Sequence, residues 1–198
     1  MAIIRTDKQL RERPEHDFYP TPHGLAREAL KLIYPWGIGE IVVDPGAGEG
    51  NWGKVLREFT SKPYLVGIDL DFKEKPYGYD DWRFEDFSDT NLFYADTIIG
   101  NPPYKQAEMF VRKGLNMLKP GGYQLFLLRI AFLAGQKRGD GLWKEHPPWK
   151  VWTCSRRPSF TPGDRRTGDT DFAIFLWKKG HQGTFEGDWL SWEYDEDE

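Results

Sequence analysis

Apolar and polar positions along the 198-residue chain switch repeatedly between a period of two and a period near 3.6. Residues 40–44, 64–69, 96–100, 123–130 and 171–178 are short apolar runs bounded by glycine, proline or acidic residues, which predicts strands. Residues 51–60 and 105–118 predict helices. In the second, Ala107, Phe110, Val111, Leu115 and Leu118 keep helical spacing until Lys119-Pro120-Gly121-Gly122 supplies a stop. Strands alternating with helices predict an α/β fold, a mainly parallel sheet with helices on both faces. The Gly/Pro-rich segments 135–148 and 158–170 are expected to be loops over one edge. Residues 1–16 read as a polar arm, 17–180 as one domain, and 181–198 as an acidic, partly disordered tail.

Composition narrows the class. The 31 aromatics are too many for a disordered chain. The most apolar stretch, 123–134, is interrupted by Arg129 and is shorter than the roughly 20 residues of a membrane span. No secretory apolar segment follows Met1, so a cytoplasmic protein of a bacterial cell or phage-infected host, with no membrane partner, is expected. Cys154 is the only cysteine, which excludes an internal disulfide and a cysteine zinc site. The histidines His16, His23, His146 and His181 show no ligand spacing, so no metal is expected. The formal charge of −4 is an average over unlike parts. Residues 185–198 hold seven acids and no Lys or Arg, leaving +3 on the rest. Between Arg129 and Arg166 nine bases face three acids, interleaved with Trp143, Trp149, Trp152 and Phe160. Such a mixture suits a nucleic-acid partner, with aromatics stacking on bases and Lys137, Arg138, Arg156, Arg157, Arg165 and Arg166 on phosphates.

Two motifs carry chemistry. Asp44-Pro45-Gly46-Ala47-Gly48-Glu49-Gly50 joins a predicted strand to a predicted helix. Glycines there let the main chain approach a nucleoside cofactor, and Asp69, 19 residues after Gly50, ends the next strand where an acid can take ribose hydroxyls. No Lys-Ser or Lys-Thr follows, so a phosphate-cradling NTPase loop is not indicated. Asn101-Pro102-Pro103-Tyr104 follows the strand at 96–100. The Asn101 oxygen and the Pro102 carbonyl are two acceptors held by proline-restricted backbone, and Tyr104 adds an aromatic face. That set fits a planar amino group.

In these motifs the chain resembles the S-adenosylmethionine-dependent amino-group DNA methyltransferases, in particular the adenine-N6 enzymes, over residues 17 to about 178. Asp17-Phe18-Tyr19-Pro20-Thr21-Pro22 matches the family's N-terminal cofactor motif, in which Tyr19 and Thr21 would lie against the methionine part of the cofactor. Asp44, Gly46, Ala47 and Gly48 match its glycine-rich turn, Asp69 its ribose acid, and Asp86-Phe87 the pair that reads the cofactor adenine. Asn101, Pro102, Pro103 and Tyr104 match its catalytic tetrapeptide. Arg157-Pro158-Ser159-Phe160, followed by Asp171-Phe172-Ala173, resembles the late motif that packs on the target base, which implies Phe160 beside Tyr104. The resemblance implies a Rossmann-like methyltransferase fold, S-adenosylmethionine as cofactor, and an adenine extruded from DNA for direct in-line attack.

The chain departs from this family in two respects. About 20 residues follow Lys178, where larger members carry a separate recognition domain, so low sequence specificity is expected. Glu49 stands where many relatives have a small polar residue. The tetrapeptide would also serve an amino group in RNA or a protein glutamine, and a noncatalytic nucleic-acid-binding module is a further alternative. Cys154 reads as a packing residue, which argues against the cytosine-carbon enzymes that need a thiolate. Nothing in the sequence sets the oligomeric state.

Overall fold

The computed structural model describes residues 19–91, 94–161, 164 and 168–196. Eight strands, β1 (Ile41–Pro45), β2 (Tyr64–Asp69), β3 (Asp81–Phe84), β4 (Ala95–Gly100), β5 (Leu118–Arg129), β6 (Lys150–Cys154), β7 (Phe172–Lys178) and β8 (Glu186–Leu190), form one sheet in the order β3-β2-β1-β4-β5-β7-β6-β8. β1, β2, β3, β4 and β5 pair in parallel, and β7 runs antiparallel to both β5 and β6. The α/β, mainly parallel architecture agrees with the sequence pattern.

Alternate residues of the strands feed two cores. Val42, Leu65, Ile99, Leu125, Leu127 and Ile174 face helices α1 (His23–Ile33) and α2 (Asn51–Phe59), which present Leu25, Leu30, Val55 and Leu56. Val43, Val66, Ile98, Phe126, Leu128 and Phe175 face α3 (Ala107–Met117) through Phe110, Val111 and Leu115. Each such side chain contributes roughly 1.5–3 kcal/mol of burial. Both faces are thus covered, as a parallel sheet requires.

The structure corrects several boundaries. Helix α1 went unread, although Leu25, Ala29, Leu30 and Ile33 make a helical stripe and are all fully buried. Leu118 belongs to β5, not to the helix before it, and a register shift between Ala95 and Thr97 absorbs the Lys119 to Gly122 turn within the strand pairing. The 135–148 segment is not a plain loop: it forms α4 (Gln136–Asp140) and α5 (Leu142–Glu145), and Leu142 is fully buried.

The largest correction concerns 181–198. This segment adds β8 in parallel to β6, with Lys150 opposite Glu186 and Cys154 opposite Leu190. Past β8 the chain crosses α1, where a Cβ on Gly24 would come within 1.8 Å of the Glu193 carbonyl oxygen. Arg27 clamps it there, bonding Asp195 at 2.6 and 2.9 Å and Glu58 at 2.6 and 2.9 Å. Acidity hid this role, because Leu190 and Trp192 are the segment's buried anchors and two of its acids, Glu193 and Asp195, pair with Arg156 and Arg27.

Candidate active site

β1 and β4 are neighbours in space, and the chain leaves them in opposite directions across the sheet, to β2 and to β5. Open α/β sheets bind ligands at the carboxyl ends of their strands at such a switch point. A cavity lies there, walled by the turns after β1, β2 and β4 and by the segment Tyr19-Pro20-Thr21. Tyr19, Thr21, Gly46, Ala47, Gly48, Asp69, Asp86 and Phe87, eight of the expected cofactor residues, line it, together with Asn101 and Pro103. Asp17 and Phe18 lie outside the described residues.

The glycine-rich turn is built for closeness, not for donating hydrogen bonds. Gly46 and Ala47 direct their amides to the Ile68 carbonyl at 2.8 and 3.1 Å, and Gly48 donates to Asp69 Oδ2 at 2.8 Å. Gly46 has φ +70°, and a Cβ there would lie 3.4 Å from Pro103 Cδ. With these amides spent, the turn offers no phosphate cradle, which suits a ligand lacking phosphates.

Asp69 ties the cavity together. Besides Gly48, it accepts from Asp71 N at 2.8 Å and Phe72 N at 3.2 Å, three of about four carboxylate acceptor positions. If the cavity holds the S-adenosylmethionine that the sequence resemblance implies, Asp69→Ala should weaken its binding by about 1.5–3 kcal/mol, through lost charge-assisted bonds and a loosened turn. Calorimetry checks this, and unchanged affinity would remove Asp69 from the site.

Asp44 is placed differently from expectation. It is fully buried behind the turn and does not line the cavity. Its Oδ2 accepts from Tyr79 Oη at 2.6 Å, Tyr79 Oη in turn accepts from Gly53 N at 3.2 Å, and Asp44 Oδ1 has no partner. Burial first, and the negative charge of Asp69 as a smaller cause, push its pKa from 3.8 to about 8 against the bond from Tyr79. The folded protein thus favours a protonated Asp44 while the unfolded chain releases that proton near pH 4. Folding stability attributable to this group falls as pH rises from about 4 toward 8. Asp44→Asn should accordingly gain stability over the wild type across that window, read as a pH-dependent difference in denaturant midpoints. A constant difference would refute it.

The N-terminal segment straps the two motifs together. Asn51 Nδ2 donates to the Thr21 carbonyl at 2.9 Å, Trp52 Nε1 to Thr21 Oγ1 at 3.2 Å, and Asn101 Nδ2 to the Tyr19 carbonyl at 2.9 Å. The sequence reading missed Asn51 and Trp52, although both stand in the first turn after the glycines. Only an amide nitrogen can donate to a carbonyl, so the Asn101 side chain is oriented, and its buried Oδ1 is left with no partner.

Beside Asn101 the structure assembles four aromatic rings. Tyr104 stacks on Tyr19 with centroids 5.4 Å apart, Phe160 meets Tyr19 edge-on at 5.4 Å, and Phe172 lies 5.1 Å from Phe160 and 5.5 Å from Tyr104. Tyr104 and Phe160, 56 residues apart, share Tyr19 and Phe172 as neighbours, and Phe172 was not foreseen. Pro102 is buried.

The basic segment is less available than its composition suggested. Arg156 pairs with Glu193 at 2.5 Å, Arg157 with Asp171 at 2.5 Å, and Arg138 donates to the carbonyls of Phe132 and Ala134. Lys137 lies exposed on α4, and Arg165 and Arg166 lie outside the described residues. Cys154 is buried and its thiol is pushed up to about 12 by burial, in keeping with packing. Among the described residues no group of His, Cys, Asp and Glu could hold a metal, and no helix is long and apolar enough to cross a membrane.

No protein-family model and no curated protein sequence matches the chain. Solved structures do. A candidate class I S-adenosylmethionine-dependent methyltransferase from Listeria monocytogenes superposes with TM-score 0.62 at 14% identity, over 92% of this chain and 68% of its own. The fold is that of the class I S-adenosylmethionine-dependent methyltransferases. A candidate RNA methyltransferase from Pyrococcus horikoshii matches with TM-score 0.62 at 19% identity, over 85% of this chain and 90% of its own. The M protein of the type I restriction enzyme EcoKI matches with TM-score 0.61 at 16% identity, over 82% of this chain but 44% of its own. At the β1/β4 switch point the cavity gathers the glycine turn, Asp69, Asn101 and Pro103, whereas the predicted Pro102, Tyr104 and Phe160 do not line it.

Proposed function

We propose that this chain transfers a methyl group from S-adenosylmethionine to the N6 amino group of an adenine extruded from DNA. The observation that carries the reading is Asn101: an oriented amide with a buried, unpartnered acceptor at the cavity wall, next to the stacked Tyr19 and Tyr104 rings. The cavity residues fit the cofactor, since Gly46 and Gly48 bring no Cβ into the space, the amides of Gly46, Ala47 and Gly48 are spent within the chain, Asp69 can accept from ribose hydroxyls, and Phe87 and Asp86 offer a ring and a carboxylate. Bound there, S-adenosylmethionine supplies an electrophilic methyl group.

The chain's own residues act on the amine. The adenine nitrogen is a poor nucleophile because its lone pair is delocalised into the ring. Hydrogen bonds from its N–H groups to Asn101 Oδ1 and the Pro102 carbonyl favour a more tetrahedral nitrogen and stabilise the positive charge that develops on it. Phe160 stacks on the extruded base, and Tyr104 does so by exchanging its stacked Tyr19 ring for the base while Arg129 stays over it, each such contact being worth roughly 1–3 kcal/mol against a few kcal/mol of unstacking. Tritiated S-adenosylmethionine offered with DNA, RNA or protein extract, followed by nucleoside analysis, tests the reading. Label in N6-methyladenine of DNA supports it, and label confined to RNA or to glutamine replaces it.

Low sequence specificity follows from the same features. Each base-edge contact discriminates by roughly 1–3 kcal/mol, and a long site needs a sizeable reading surface. Here Arg138, Arg156 and Arg157 are already bonded within the chain. Arg165→Ala combined with Arg166→Ala should weaken binding about equally on all sequences and flatten its salt dependence. Long-read mapping of methylated adenines in expressing cells checks this; marks confined to one motif of about five or more bases would defeat it.

A further inference from the structure

Arg129 closes β5 at the rim of the aromatic cluster. Its guanidinium carbon lies 4.8 Å from the centroid of the Tyr104 ring, and its Nε is buried without a hydrogen-bond partner. The acid nearest in strand register is Asp171, which precedes Phe172, the register partner of Arg129, and that carboxylate is taken by Arg157 at 2.5 and 3.4 Å. Arg112, Arg156, Arg157 and Arg27 all have acidic partners; among the described residues Arg129 has none.

A guanidinium cannot shed its proton, so it remains a cation in this partly buried position, and a buried charge without a counterion is costly. A carboxylate partner would end that cost permanently. The structure supplies instead the face of Tyr104, which attracts a cation through its ring, and among the described residues no acceptor takes the N–H groups that a bidentate anion would use. The anion must therefore arrive with the substrate. A neutral amide such as glutamine brings none, whereas an adenine within DNA carries a phosphodiester on each side.

We propose that Arg129 receives a phosphodiester flanking the target adenine, so that the rim of the site selects a polynucleotide over a neutral amide substrate. This rests on the adenine reading above. The guanidinium is then held over Tyr104, and the same residue links stacking of the base to capture of its backbone.

The test uses a DNA duplex with one adenine target in which the phosphodiester on its 5′ or its 3′ side is replaced by an uncharged methylphosphonate. The wild type should lose about 10–100-fold in kcat/KM with one of the two replacements. Arg129→Gln should lose a similar factor on unmodified DNA and no further on the sensitive duplex, with Arg129→Lys intermediate and cofactor affinity by calorimetry unchanged. Its salt slope should fall by about one. Additive losses from Arg129→Gln and the methylphosphonate would overturn the assignment. So would wild-type indifference to both replacements, a result that does not depend on any variant folding. Failure of the wild type to methylate the unmodified duplex, with cofactor bound, would instead overturn the adenine reading and this inference with it.

Discussion

Asn101→Ala is expected to lower turnover by about 100–1000-fold, the cost of deleting one preorganised group that acts on charge developing in the transition state. Two roles must be separated. The Asn101 nitrogen also holds the Tyr19 carbonyl at 2.9 Å, and Tyr19 lines the cofactor cavity, so the variant loses a part-buried hydrogen bond as well. That bond is worth about 0.5–1.5 kcal/mol, so cofactor affinity should drop at most about tenfold. The gap between the two losses identifies the oxygen as the group that acts on the amine. Single-turnover rates at saturating cofactor, beside calorimetric affinities, measure both. Methylation by the variant near the wild-type rate would remove Asn101 from the chemistry, and equal losses in both quantities would make it a strut for Tyr19.

Trp192→Ala should destabilise the fold by about 3–5 kcal/mol, the usual cost of removing a buried Trp and leaving its cavity. Trp192 is 3% exposed, packs against Tyr194 with ring centroids 4.8 Å apart, and donates from Nε1 to the Arg156 carbonyl at 3.0 Å. Tyr194 Oη accepts from Ser159 N at 2.7 Å, so the same segment holds the loop that carries Phe160. Such a loss is a large share of the roughly 5–15 kcal/mol that keeps a domain folded. Chemical denaturation is the measurement. A change within about 0.5 kcal/mol would return the segment to the status of a surface tail. Activity should fall with stability here, because the loop at Arg156 and Ser159 loses two of its anchors together.

Much of the candidate site was legible because its determinants are local. A glycine turn after an apolar strand, an acid ending the next strand, and an Asn-Pro-Pro-Tyr turn each declare a backbone geometry within a few residues, and chain order along a parallel sheet then places all of them at one end of it. Residue type alone could not say which way a side chain turns. Asp44 belongs to the glycine motif yet points into the interior toward Tyr79, 35 residues on, so its buried role depends on a partner that no motif names.

By itself the sequence determined the alternation of strand and helix, the two-faced burial of the central strands, and the order of the motifs. Those follow from side-chain periodicity and from turns that only glycine or proline accommodates. The tertiary structure decided which charges are spent. Arg156 is neutralised by Glu193, Arg157 by Asp171 and Arg27 by Asp195 across separations of 14 to 168 residues, while Arg129 is left on the Tyr104 ring. A charge count over a segment cannot anticipate this, because an ion pair depends on two side chains meeting within about 4 Å, and that is fixed by strand register and packing rather than by spacing along the chain.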